Sequence, residues 1–92
     1  MAGGWVIAVL VELRGEPQAV RHFYALGFED QGKAEWTAVD RALALGAVAT
    51  SPVGGQEPVQ AMARLTPQRM KSLGLADGEV RELGWKWPRR WL

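Results

Sequence analysis

Ninety-two residues suffice for one domain with a single core, about 60–65% of the unfolded surface being buried at this size. With 48% apolar and 23% charged residues the composition is that of a folded domain, and a net charge of +1 excludes the bulk electrostatics of a nucleic-acid or membrane binder. The absence of cysteine excludes disulfides, thiolate metal sites and a thiol nucleophile, and it fits a reducing, cytoplasmic setting.

The longest apolar run, residues 5–13, is rich in β-branched side chains and reads as a strand. Trp5, Ile7, Val9, Val11 and Leu13 point one way and Val6, Ala8 and Leu10 the other, so the strand is expected to be central and covered on both sides. Glu12 and Arg14 interrupt the run before the roughly 20 residues of a membrane span, and no basic stretch leads into it. Neither a transmembrane segment nor a signal peptide is expected. Gly15 and Pro17 mark a turn, and a second strand over 19–27 completes an antiparallel hairpin. His22 and Tyr24 share one face of that strand with Val20 and Leu26.

Asp30 is placed to cap a helix in which Trp36, Val39 and Leu43 recur at helical spacing, with Gly46 as its C-cap. Residues 47–50 read as a short strand, made an edge or bulged strand by Pro52. Gly54 and Gly55 turn the chain, and 59–65 alternates as a strand, although its Met and Ala also suit a helix. The two strands are expected to form a second hairpin. Thr66 and Pro67 open a short helix that ends at Gly74, Asp77–Gly78 is a turn, and 79–83 suits a last short strand. The order ββαββα predicts an α+β, two-layer sandwich: an antiparallel sheet with two helices on one face. Residues 1–83 form the domain and 84–92 a tail expected to pack against it.

No set of residues announces catalysis. His22 has neither a second histidine nor a cysteine with which to hold a metal, and Glu29, Asp30 and Glu35 are explained by helix capping. No catalytic residue, metal or cofactor is expected. Residues 50–56 are the best loop for an anion or small ligand, through Thr50, Ser51 and the backbone of Gly54 and Gly55; the phosphate-loop spacing and its lysine are missing. A small-molecule site combining this loop with His22 and Tyr24 is the enzyme-like alternative.

The tail departs from the rest. Residues 1–83 carry a balance of −2, whereas Lys86, Arg89 and Arg90 give the last nine residues +3, alongside Trp85, Trp87 and Trp91. Such a segment can bury its indoles in its own domain, stack them on bases while its cations meet phosphate, or sit at a membrane interface. The run from Trp85 through Lys86, Trp87, Pro88, Arg89 and Arg90 to Trp91 resembles the short Trp/Pro/Arg-rich antimicrobial peptides of the indolicidin kind, which implies a capacity for membrane contact. The leading expectation is a non-enzymatic protein-interaction module that pairs with itself or another protein, self-pairing being expected through the sheet face that the two helices leave uncovered. Weak single-stranded nucleic-acid binding through Trp85, Lys86, Trp87, Arg89, Arg90 and Trp91 is the alternative.

Overall fold

The computed structural model describes residues 2–92 as β1 (Gly4–Glu12), β2 (Val20–Leu26), α1 (Gln31–Leu43), β3 (Ala47–Val48), β4 (Val59–Leu65), α2 (Pro67–Leu73) and β5 (Val80–Gly84). This is a mixed α+β fold on one antiparallel sheet, with a fifth strand after the ββαββα series. β1 is central. It pairs with β2 from Trp5 opposite Leu26 to Val11 opposite Val20. β5 extends the sheet beyond β2.

The other side of β1 corrects the expected second hairpin. β3 and β4 do not pair with each other. They lie end to end along β1, with β4 on residues 4–9 and β3 on Val11 and Glu12. Between them Val53 and Gln56 bridge across Gly54 and Gly55, whose φ values of 57° and 80° suit a tight two-residue turn. The Pro58 carbonyl then accepts from the Leu10 N–H at 2.8 Å, which holds the returning chain on β1.

The expectation of both helices on one face, with the other face open for self-pairing, is also corrected. α1 covers Ile7, Val9, Val11, Tyr24 and Leu26. The opposite face joins Val6, Ala25 and Leu65 to Met70 of α2, Leu75 and Trp91. With apolar side chains on both sides of the pleat, β1 needs a cover on each, and one helix per face provides it. β4 serves both faces through a bulge at Met62: Ala63 opposes Val6, but Ala61 opposes Ile7. Val59 and Ala61 therefore pack towards α1, and Ala63 and Leu65 towards α2.

α1 begins as its sequence requires, the Asp30 carboxylate accepting from the Lys33 N–H at 2.7 Å. Its inward face is not the expected Trp36–Val39–Leu43 stripe. Ala34, Ala38 and Ala42 are fully buried, because alanine lets the helix axis approach the sheet closely. The C-cap is Ala44, two residues before Gly46. A side chain at Gly46 would meet the Glu12 carbonyl at 2.6 Å, so this glycine serves the crossing of the chain over β1. α2 is capped by the Thr66 hydroxyl, which accepts from the Arg69 N–H at 3.1 Å, carries Pro67 in its first turn and closes at Gly74.

Candidate functional site

Turning Ala34, Ala38 and Ala42 inward sends Gly32, Trp36, Val39 and Leu43 to a stripe about 130° away around the helix, at about 100° per residue. This stripe faces the β3–β4 edge. Gly32, Glu35, Trp36 and Val39 form one wall of an open groove of about 370 Å³; Val48 and Val59 form the other. Trp36 is 73% exposed and Leu43 55%. A tryptophan beside half-buried valines is a concentrated apolar surface for a chain of this size. Polar groups frame it: Gln31 donates to the Glu35 carboxylate at 2.9 Å, and Asp40 follows in the next turn.

The tail divides its tryptophans. Trp91 is 8% exposed in the cluster under α2, with the Arg81 guanidinium 5.6 Å from its ring centre. The same guanidinium donates to the carbonyls of Leu73 and Gly74 and to the Glu79 carboxylate, closing the C-terminal end of α2. The Ala76 N–H, and then Arg81, hold the Glu79 carboxyl below its usual range. Pro88 is buried, and its carbonyl accepts from the N–H groups of Trp91 and Leu92. Trp87 meets Phe23 edge to face at 5.7 Å while remaining 55% exposed, with Arg21 over its ring. Trp85 is 62% exposed beneath Lys86. Arg89 and Arg90 are exposed, and the Arg90 carbonyl accepts from Arg69 at 2.8 Å. The six tail positions thus form no single surface: Trp91 points into the fold, while Trp85 and Trp87 point out.

Thr50, Ser51, Gly54 and Gly55 are all exposed. The Val53 and Gln56 N–H groups bond each other's carbonyls, which removes two donors from any anion. The cleft beside the loop is lined by Thr50, Ser51 and Val53, by Pro17, Gln18 and Ala19, and by the Glu12 carboxylate. It shares no residue with the recess at His22 and Tyr24, so the loop and this pair do not form one site.

That recess holds about 220 Å³ between β2, β5 and the turn after α1, lined by His22, Tyr24, Leu45, Glu82 and Gly84. The register of β5 sets Glu82 opposite Tyr24, and the bulge at Leu83 then sets Gly84 opposite Phe23. His22 Nε2 and the Tyr24 hydroxyl are buried without a hydrogen-bond partner. Burial pushes the His22 pKa down, against the field of Glu82. Burial, then Glu82, pushes the Tyr24 phenol up, against Arg41. Leu45 and Glu82 were not legible as site residues: period two in 79–83 pairs Glu82 with Val80 but does not say which face they take. Among the described residues no three His, Asp or Glu side chains converge as a metal site, and no helix is long and apolar enough to cross a membrane.

Comparisons with known protein families, with curated proteins and with solved structures found no match.

Proposed function

We propose that this protein is a non-enzymatic interaction module that pairs with a second copy of itself through the outer stripe of α1. The observation that carries the reading is the exposure of Trp36 and Leu43 on a helix whose inward face is alanine. The stripe is self-complementary. Antiparallel packing of two α1 helices about an axis midway between Thr37 and Ala38 sets Trp36 of each copy against Val39 of the other. It sets Leu43 against Gly32, where no side chain obstructs it. A stable pair needs about 600–800 Å² from each copy, roughly an eighth of the 5664 Å² surface.

Sedimentation equilibrium tests it. The wild-type chain is expected at twice its 10.1 kDa mass at micromolar concentration, and Trp36→Gln at the single mass with its amide spectrum still dispersed. A wild-type chain that stays at 10.1 kDa through the high-micromolar range overturns the reading.

A second reading, weak single-stranded nucleic-acid binding, rests on the exposed indoles of Trp85 and Trp87, each beneath a cation. It predicts quenching of tryptophan fluorescence by oligothymidylate that weakens with salt and is lost in Trp85→Ala. Absence of quenching at low salt removes it.

A further inference from the structure

We propose that the recess between β2, β5 and the turn after α1 binds a small neutral molecule with an apolar body and one hydroxyl, a phenol being the simplest case. Two residues that line it each carry a buried polar atom without a partner: the hydroxyl of Tyr24, a residue 1% exposed, and His22 Nε2. Buried polar groups are nearly always bonded, so two orphans on one strand face, two residues apart, need an explanation. They are complementary to a hydroxyl. A phenol donates a hydrogen bond to one while the other, Tyr24 hydroxyl or neutral imidazole N–H, donates to it.

The rest of the recess selects the body. Leu45 and Gly84 are its apolar walls, and about 220 Å³ exceeds the roughly 150 Å³ that already admits benzene in a protein interior. Anions are disfavoured: Glu82 lines the recess and acts on both His22 and Tyr24, whereas Arg41 acts on Tyr24 alone and lies outside the lining. Both orphan atoms are shielded from bulk water, so the ligand reaches them as a side chain shifts. Leu45, 44% exposed on the turn after α1, is the wall with the most freedom.

The experiment is an NMR titration of the full chain with p-cresol and, in parallel, with toluene, which has the same ring without the hydroxyl. Saturable shifts are expected at residues 22, 24, 45, 82 and 84, with p-cresol binding about threefold to tenfold more tightly than toluene, the factor one hydrogen bond supplies. Tyr24→Phe keeps the ring and should bring the two ligands closer in affinity while leaving the amide spectrum dispersed. Equal binding of the two ligands by the wild type, or no saturable shift at these residues, overturns the proposal. So does a long-lived water at the Tyr24 hydroxyl that p-cresol fails to displace.

Discussion

On one face of the sheet a thirteen-residue helix lies on three alanines; on the other, a seven-residue helix shares the cover with Leu75 and Trp91. The first face gains stability from close approach of two regular surfaces, which needs small residues at the contact. The second is assembled from separate pieces, which large side chains must join. Trp91 fills the space that α2 is too short to cover, and Arg81 ties the end of α2 to strand β5 by bonding the Leu73 and Gly74 carbonyls. The difference has a consequence outside the core. A helix that buries alanine has its larger apolar residues left over, and α1 presents them to solvent as Trp36 and Leu43. The tail instead divides its aromatics between core and surface.

The most disruptive way to break this comparison is to remove the joint of the second face. Trp91→Ala is expected to cost about 3–5 kcal/mol in denaturant unfolding, the loss of a buried tryptophan. A loss below about 1 kcal/mol would mean that α2 and Leu75 hold the second face without it. Ala38→Leu attacks the first face by overpacking and is expected to cost about 1–3 kcal/mol, since Ala38 has no exposed surface to expand into. The same substitution at Ala47, exposed on β3, serves as the control and should change little.

A smaller effect separates the faces by pH. The folded His22 pKa lies below its unfolded value near 6.5. Above that pH both states are neutral and His22 contributes nothing. As pH falls through 6.5 the unfolded chain takes the proton first, so stability declines down to the folded pKa and is then level. His22→Gln should flatten the urea midpoint over this window. Glu79 on the other face acts lower: its contribution is present above the unfolded carboxylate value near 4.5 and is lost as pH falls through the depressed folded value. Smallest is Tyr24→Phe, which removes an unpartnered hydroxyl and is expected to be neutral or stabilising by about 1 kcal/mol in thermal unfolding.

Local chemistry was legible where it acts over a few residues. Thr66, Pro67 and Gly74 delimit α2 because a cap satisfies backbone groups within one turn, and Asp30 does the same for α1. The doubly apolar β1 announced a central strand for the same reason: strand periodicity is set by the backbone itself. The groove was less legible. Trp36, Val39 and Leu43 carry a helical period that reads as a core stripe, and only contact with the sheet shows that the alanine stripe fits better.

From the sequence alone came the antiparallel α+β class, the central strand and both helix starts, all of them consequences of backbone geometry and side-chain pattern within short windows. The tertiary structure decided the rest. It put the helices on opposite faces, laid β3 and β4 end to end on β1, and used the bulge at Met62 to switch which face a side chain takes. It also set Glu82 beside His22 and Tyr24. These choices depend on which surfaces fit when distant segments meet, and a bulge of one residue reverses a face without changing the alternation that local pattern can read.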